Sequence, residues 1–415
     1  MSERAQLSMR ISKSLVAILF LQLFIPQAHA IETPSSFSFR GSGYGHGVGM
    51  SQIGARAMAL AGESPLSILR YYYSGVEIES LPDTQTIRVN IGHLLKNIKL
   101  AMPTPNSTMS VFVSNDKSVA QAPSKSSFTF AISGSQISLT TVTGKKSQAI
   151  TRSREFTIRW SGESATVSVT DSKGTMKYRY GQIQLKSVRT KDGKYFIEAT
   201  NSLRLHDEYL YGIGEVPSSW PAAALQAQAI ASRTYALSKT GTIKSACDCN
   251  LYGSISDQSF IGYAKESEPL YGKFWREAVD ATMSSDSTGL VITMQGQPIN
   301  AYFSSSSGGQ TESALNAWGS ERLFALSVPD SASADIALNP RYAQWDRTVS
   351  QEVVASAFLL PDVVTLEIVS RNSTGTVGMI KGISSAGVEV LLRGETFRSR
   401  TKIPSAWFEL VSVQN

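Results

Sequence analysis

The loop sequence YLYGIGEVPSSWP places one carboxylate, Glu215, between two apolar stretches and shortly before Trp220. Apolar neighbours raise the pKa of a glutamate, and a glutamate that stays protonated near neutral pH can act as a general acid. An acidic residue just ahead of a helix also complements the helix dipole, so the loop by itself favours neither interpretation. Glu215 is therefore the candidate catalytic residue, and Trp220 is a candidate substrate contact.

Arg233 follows Glu215 after 18 positions, on the helix that this loop enters. A planar guanidinium can position a carboxylate or a substrate oxygen. The two residues can instead form a structural ion pair. Arg233 is the second candidate catalytic residue, in a supporting role.

The segment GSGYGHGVGMSQIGA, residues 41–55, alternates glycine with other residues and contains one histidine. Neither nucleotide fingerprint fits, because no GK[ST] follows and no ribose-binding acid lies in a strand-helix-strand unit around it. Glycines allow a bulky partner to approach the backbone closely. Tyr44 could then offer a flat face to a sugar ring, and His46 and Gln52 could offer hydrogen bonds. The alternative is a tight structural turn that docks two helices.

A polar loop, SSSSGGQT at residues 304–311, follows a run typical of a strand. Its hydroxyls and amide suit a hydroxyl-rich ligand, with Ser306 and Thr311 as candidate contacts, although a solvated turn has the same composition. A nucleophilic serine is disfavoured because the G-x-S-x-G elbow is absent from the sequence. Gln258, in SDQSF, completes the predicted substrate contacts.

The two cysteines, Cys247 and Cys249, stand one residue apart in ACDCN. This spacing is poor for an ordinary disulfide and for half of a structural zinc site. Because no histidine is close in the chain, zinc is disfavoured relative to a disulfide or two free thiols. We predict no cofactor and no metal site.

The first 30 residues have the pattern of a secretory signal peptide. Three basic residues precede an apolar run, SLVAILFLQLFI, that ends before an A-x-A cleavage motif at residues 28–30. Twelve apolar residues fall short of the roughly 20 that span a bilayer, so we expect cleavage and no transmembrane segment in the mature chain. The predicted location is secreted or extracytoplasmic, at the cell envelope. Export disfavours nucleic acid as a partner, and the net charge of +6 suits an anionic envelope surface.

The hydrophobic patterns predict an α+β fold. Helices are expected at residues 51–61, 65–73, 221–238 and 349–358, the second with Ser64 as its N-cap and Pro65 at its first position. Short alternating runs between residues 82 and 177 predict β-hairpins, and Asp192-Gly193 marks another. The predicted division is a signal peptide (1–30), a glycine-segment part (31–81), an accessory β-rich segment (82–177) and a main domain (178–415).

Three blocks of this sequence resemble the stage II sporulation protein D (SpoIID)/LytB family. They are GHGVGMSQIGARAMALAG with ILRYYYSGVEI, then YLYGIGEVPSSWPAAALQAQAIASRTYAL, and AYFSSSSGGQTES before AWG. The C-terminal LLRGETFRSRTKIPSAWFEL resembles the closing strands of that family. The GHGVGMSQ block comes late in the sporulation proteins and first here, which is the pattern of a circular permutation.

The resemblance implies a lytic transglycosylase acting on peptidoglycan glycan strands, in the best-known members strands without stem peptides. It assigns the catalytic role to Glu215 and the supporting role to Arg233. Hydrolytic glycosidases usually need two carboxylates, whereas a transglycosylase can use one because a sugar hydroxyl replaces water. The nearest second carboxylate downstream is Asp257.

The LytB branch implies an alternative function, a glycan-binding enhancer of a cell-wall amidase. In that case Glu215 would contribute only to structure. The circular permutation predicts that His46 lies within one cleft's width of Glu215. If the two residues lie on opposite faces, the glycine segment is only a turn.

Overall fold

The computed structural model describes residues 32–113 and 117–414. The predicted signal peptide, residues 1–30, lies outside the described residues. The described chain is a strand-rich α+β protein. No helix among these residues is long and apolar enough to cross a membrane.

The helices begin where the sequence supplies caps. The Ser51 hydroxyl accepts a hydrogen bond from the Gly54 amide, and the Ser64 hydroxyl accepts one from the Ser67 amide with Pro65 at the first helical position. The helices are α1 (Gln52–Leu60), α2 (Pro65–Tyr72), α3 (Ala222–Leu237), α4 (Tyr263–Glu266), α5 (Gly272–Asp280), α6 (Ala314–Trp318), α7 (Gln351–Phe358) and α8 (Gly394–Thr401). A π-helical turn at Leu205–Tyr209 and a 3-10 turn at Ser331–Ala334 supplement them.

The strands are short and mostly antiparallel. In chain order they are β1 (Ser36–Gly41), β2 (Met50–Ser51), β3 (Glu77–Pro82), β4 (Thr86–Leu95), β5 (Asn97–Ala101), β6 (Thr108–Val113), β7 (Lys117–Pro123), β8 (Ser126–Ser133), β9 (Gln136–Thr143), β10 (Lys146–Ser153), β11 (Glu155–Ser161), β12 (Val167–Asp171), β13 (Gly174–Tyr178), β14 (Gln182–Arg189), β15 (Tyr195–Arg204), β16 (Leu251–Tyr252), β17 (Met283–Ser285), β18 (Thr288–Met294), β19 (Gln297–Pro298), β20 (Phe303–Ser304), β21 (Trp345–Ser350), β22 (Thr365–Arg371), β23 (Val377–Ile383), β24 (Glu389–Arg393) and β25 (Phe408–Gln414).

Two large sheets dominate the first half of the chain. One has the order β16-β4-β15-β14-β11-β6-β7 and the other β10-β9-β8-β5-β12-β13. The predicted hairpin at Asp192-Gly193 joins β14 to β15. The predicted boundary at residue 177 falls within β13, and the first sheet contains strands from both sides of it. The division into segments remains a prediction.

A helical layer carries the glutamate loop. Alanine-rich α3 is buried along most of its length and packs against α1, α2, α5 and β18. Small side chains permit this close approach from several sides. The predicted apolar stripe of α2 enters the same core, where Leu69, Tyr72 and Tyr73 are buried.

The two ends of the described chain lie side by side. Strand β1 is central in a sheet of order β21-β1-β25, and Ser36 pairs with Gln414. The C-terminal segment corrects one expectation, because the supposed closing strands include helix α8 between β24 and β25. Phe397 of α8 is fully buried against Phe39 and Phe408, so an amphipathic helix here closes the core of the C-terminal region.

Candidate functional site

The glycine segment packs directly on the serine loop. Strand β2 pairs in parallel with β20, and the backbones of Tyr44 and Ser306 exchange hydrogen bonds of 2.9 and 3.2 Å. Gly49 has φ +73°, and a Cβ there would lie 2.1 Å from the Tyr302 carbonyl oxygen. Only glycine accommodates both demands. The group that approaches Gly49 closely is therefore the protein's own backbone at Tyr302.

Hydrogen bonds of Asp330, made directly and through Ser333, connect the glycine segment to the serine loop. Its carboxylate accepts hydrogen bonds from Ser307 (2.6 Å), from Tyr72 of α2 (3.0 Å) and from Ser333. The Ser333 hydroxyl also contacts the Ser51 hydroxyl at 2.9 Å. Asp330, which no sequence motif marks, thus stabilises the wall of the site.

The glutamate loop meets the glycine segment at Gln52. One Glu215 oxygen accepts a hydrogen bond of 2.5 Å from the Ser259 amide, and the Gln52 side chain hydrogen-bonds to the same carboxylate. Gln52 is buried and also donates to the Gln228 side-chain oxygen at 3.2 Å. Residues 163 positions apart in the sequence thus share one hydrogen-bond network.

Burial raises the pKa of Glu215, while the hydrogen bonds from Ser259 and Gln52 oppose this rise. Within the described chain, no Lys, Arg or His forms an ion pair with this carboxylate. The charged form is therefore disfavoured by desolvation without compensation from a cation. A carboxyl group in this state can donate a proton closer to neutral pH than a solvated glutamate does.

Lys265 anchors the loop that carries Glu215. Its ammonium group is buried, donates to the Val216 carbonyl at 2.6 Å and lies 5.2 Å from the Trp275 ring centroid. Desolvation lowers the pKa of Lys265 to about 8. No local pattern predicts this contact, because Lys265 is 49 positions from the carbonyl to which it donates.

His46 is held in one orientation. Its Nδ1 accepts a hydrogen bond of 3.0 Å from the Val48 amide, and its ring meets Trp318 edge to face at 5.2 Å. Burial, and secondarily the positive charge of Arg398, lower the pKa of His46 to about 3. The ring is thus neutral near pH 7, with Nδ1 as an acceptor and Nε2 as a donor.

His46 lines a cleft of about 200 Å³. The other lining residues are aromatic, polar or small: Tyr235, Ile255, Ser256, Asp257, Ala301, Tyr302, Phe303 and Trp318. Burial raises the pKa of Tyr235, with smaller contributions from Asp257, Tyr302 and Glu215. The contact between Gln52 and Glu215 brings the first and second blocks together, and His46 and Tyr235 line the same cleft.

Asp257, the nearest downstream carboxylate, is already committed to protein partners. It accepts hydrogen bonds from the Tyr235 hydroxyl (2.8 Å), the Lys244 ammonium (2.6 Å) and the Tyr252 amide (2.9 Å). These contacts orient the cleft wall. Unlike Asp257, Glu215 forms no ion pair with a cation among the described residues.

Arg233 does not contact Glu215, which corrects the predicted pairing. Its side chain is fully buried, with Nε 2.8 Å from Asp83 and Nη1 donating to the Thr282 hydroxyl at 2.8 Å. His206 contacts the other oxygen of Asp83 at 2.6 Å. Helix α3 is long enough to carry Arg233 away from the loop at its start, so the guanidinium serves a structural ion pair.

The remaining predicted contacts divide by exposure. Tyr44 is 41% exposed and packs on Tyr342 at 4.3 Å, and Trp220 is half-buried under the Arg56 guanidinium at 5.7 Å. Gln258, Ser306 and Thr311 are buried, and so do not present their side chains to a substrate in this structure. Gln258 accepts from Tyr209 at 2.5 Å and Thr311 exchanges hydrogen bonds with the Val328 backbone. Their role is to shape the site.

One signal for the missed residues was present in the sequence. Gln228, Ser232 and Tyr235 stand at positions i, i+4 and i+7 of an alanine-rich helix, which places them on one face. The Gln228 amide donates to Ser232 at 3.1 Å, and Tyr235 reaches the cleft. A polar stripe on an otherwise apolar buried helix indicates a site.

Cys247 and Cys249 are joined by a disulfide and are both fully buried. Of the alternatives that the spacing left open, the structure has the disulfide. Disulfide sulfurs are not the thiolates that zinc takes as ligands. Among the described residues, no group of three or more His, Cys, Asp or Glu is arranged to hold a metal ion.

Comparisons with known proteins agree with the predicted resemblance. Residues 195–286 match the family described as "SpoIID: Stage II sporulation protein". The chain is 30% identical over 138 residues to the amidase enhancer of Bacillus subtilis (strain 168), covering 33% of this chain and 16% of that protein. It is 25% identical over 256 residues to the stage II sporulation protein D of the same organism, covering 57% and 68% of the two chains. No solved structure matches the chain.

The resemblance is thereby confirmed over part of the chain. The matched segment contains Glu215, Arg233, Gln258 and both cysteines, whereas the glycine segment and the serine loop lie outside it. The chain spans about a sixth of the amidase enhancer and about two thirds of the sporulation protein.

Proposed function

Because residues 195–286 form a SpoIID segment in a chain distantly related to the amidase enhancer and to stage II sporulation protein D, we propose that this protein processes peptidoglycan. Its reaction is lytic transglycosylation, the cleavage of glycan strands without water. It acts at the cell envelope after export. The observation that carries the proposal is Glu215, a carboxyl group with a raised pKa that forms no ion pair among the described residues and lies near Tyr235, a residue that lines an open cleft.

The chemistry needs one residue that first gives and then takes a proton. Protonated Glu215 donates to the glycosidic oxygen, and the bond to the muramyl anomeric carbon breaks with oxocarbenium character. The resulting glutamate accepts the proton of the muramyl hydroxyl that attacks this carbon. The proton count balances, and the products are a free sugar end and an anhydro-muramyl end.

The surroundings of Glu215 suit a single-carboxylate mechanism. Asp257 is occupied by three donors, so it is not free to activate water as the second carboxylate of a hydrolase does. The Gln52 amide and the Ser259 amide hold the ionised form after the first proton transfer. Tyr235, Tyr302 and Trp318 supply aromatic surface along which sugar rings can lie.

The relationship to a protein named "Amidase enhancer" favours a second candidate function, a glycan-binding module that promotes a cell-wall amidase. In this function the cleft binds the strand and Glu215 takes no part in chemistry.

Purified mature protein and its Glu215→Gln variant, assayed on defined glycan strands, separate the two functions. Transglycosylation predicts anhydro-muramyl products from the wild type and none from the variant. If both proteins form the products equally, Glu215 is not the acid. If neither forms products and both bind glycan, the binding module is the correct function.

A further inference from the structure

A second cavity adjoins the His46 cleft and shares Trp318 with it. This cavity has a volume of about 330 Å³ and is lined by Ala317, Trp318, Arg393, Glu395, Thr396, Ser399 and Arg400. Helix α6 ends at Trp318, and helix α8 supplies most of the opposite wall. We refer to this cavity as the arginine pocket. A polymer lying across Trp318 would enter both cavities.

The arginine pocket carries an excess of positive charge. Glu395 is neutralised by Arg398 in a two-point pair, with N–O distances of 2.7 and 2.8 Å. Among residues 32–113 and 117–414, neither Arg393 nor Arg400 pairs with a carboxylate. Two guanidinium groups therefore face the pocket without a counter-charge, beside the hydroxyls of Thr396 and Ser399.

Each guanidinium group has one contact with the backbone of a neighbouring element. Arg400 donates to the Ala357 carbonyl at 2.5 Å, which leaves its other N–H groups for a ligand. Arg393 packs against Gly319, where a Cβ would lie 2.7 Å from Nη2. Gly319 also ends α6 in the left-handed region, with φ +75°. Gly319 thus allows the Arg393 side chain to pack against the backbone next to Trp318.

Planar guanidinium groups with neighbouring hydroxyls favour a carboxylate, which they bind through two parallel hydrogen bonds. We propose that the arginine pocket is a carboxylate subsite of the groove, in which Arg393 and Arg400 bind an acidic substituent of a glycan strand lying across Trp318. The subsite rests on the proposed function, because the strand must occupy the His46 cleft. In peptidoglycan the carboxylate comes either from the lactyl group of muramic acid or from an attached stem peptide.

Binding to the Glu215→Gln protein tests the subsite without turnover. The ligands are one muramyl-containing oligosaccharide with free lactyl carboxylates, the same oligosaccharide with these carboxylates converted to amides, and one bearing stem peptides. We expect the free acid to bind about fivefold more tightly than the amide at low salt, a modest factor because the pocket is open to solvent. Arg393→Gln and Arg400→Gln should remove this preference and leave amide binding unchanged.

Arg347→Gln is the matched control, because Arg347 is also exposed and also donates to a backbone carbonyl, at 2.7 Å, on a different strand. It should keep the preference. Stronger binding of the peptide-bearing strand than of the free acid would identify the peptide as the source of the carboxylate, and weaker binding would identify the lactyl group.

The failure of the subsite and the failure of the proposed function give different results. Equal binding of acid and amide by the parent protein, or a preference that survives both arginine substitutions, overturns the subsite alone. Absence of binding to every strand overturns the proposed function and the subsite with it.

Discussion

Two carboxylates near helix α3, one buried and one half-buried, have opposite surroundings. Asp83 is fully enclosed and lies 2.8 Å from Arg233 and 2.6 Å from His206. Glu215, on the loop that precedes the helix, has hydrogen bonds from an amide and from Gln52 and forms no ion pair with any cation in the part of the chain that the structure describes. An enclosed carboxylate that supports the fold is matched by a positive group, because an unmatched charge costs stability. A carboxylate without a positive partner, here Glu215, is a candidate catalytic group.

For Arg233, the role implied by the family resemblance differs from the role that its contacts indicate. The resemblance implies a supporting role near Glu215, whereas the structure pairs Arg233 with Asp83. Gly289 packs against this pair so closely that a Cβ would lie 2.5 Å from Arg233 Nε. The pair joins the segment before β4 to α3 and β18, and thereby keeps the helix that follows the glutamate loop in place.

The largest effect is expected from Glu215→Gln, which removes the proton donor and keeps the shape. Glycan cleavage should fall about 10³-fold. Folding stability at pH 7 should be unchanged or higher, because the substitution removes a carboxylate that burial disfavours in its charged form. Product analysis and urea denaturation measure the two effects.

Glu208→Gln, seven positions upstream, serves as the control for Glu215→Gln and should retain activity. A Glu215→Gln protein that unfolds more easily than the wild type would contradict the difference between the two carboxylates.

The second-largest effect is expected from a substitution that breaks the ion pair between Asp83 and Arg233. Arg233→Met should destabilise the protein by about 3 kcal/mol, because it leaves Asp83 buried beside His206 alone. Arg40→Met, which breaks the exposed pair between Arg40 and Asp346, should cost less than about 1 kcal/mol. Urea denaturation of both variants measures the difference. If Arg233→Met keeps its stability and loses cleavage, the supporting role implied by the resemblance is correct and the structural role is wrong.

A third prediction uses pH and the His46 ring. The folded protein holds His46 with a pKa of about 3, against an ordinary value of 6.5. Between these values the unfolded chain binds a proton that the folded chain does not, so stability falls as the pH decreases. From pH 6 to pH 4.5 this contribution is at most about 2 kcal/mol. His46→Gln should lose less stability over the same interval.

The acid sensitivity of these two proteins also reports the protonation state of His46 in the folded cleft. Equal acid sensitivity of the wild type and His46→Gln would show that the ring titrates in the folded state.

The smallest effect is expected from Gln52→Leu. Gln52 stabilises the ionised form of Glu215, so its removal should raise the pKa of Glu215 further and move the corresponding limb of the pH-rate profile upward. The energy involved is that of one hydrogen bond, about 1 kcal/mol. Gln297→Leu, on exposed β19, should leave the profile in place. A downward shift would mean that Gln52 does not act on the charged form.

Local elements were predictable from the sequence because their signals lie within a few residues. The start of helix α1, the cap at Ser64 and the turn at Asp192-Gly193 lie within a residue or two of where the sequence predicts them. Helix α8 was missed because its segment was assigned by resemblance to closing strands. The glycine alternation in residues 41–55 was recognised, whereas the partner it admits, the Tyr302 carbonyl, is 253 positions from Gly49.

By itself, the sequence determined the α+β class, the family resemblance and the choice of Glu215 as the candidate acid, since residue type and local spacing suffice for these. Only the tertiary structure decided which charges are matched. Arg233 and Asp83 are 150 positions apart, and Gln52 and Glu215 are 163 positions apart. The strength of an electrostatic contact depends on distance and burial in space, so no local pattern could assign Arg233 to Asp83 and leave Glu215 without a cation.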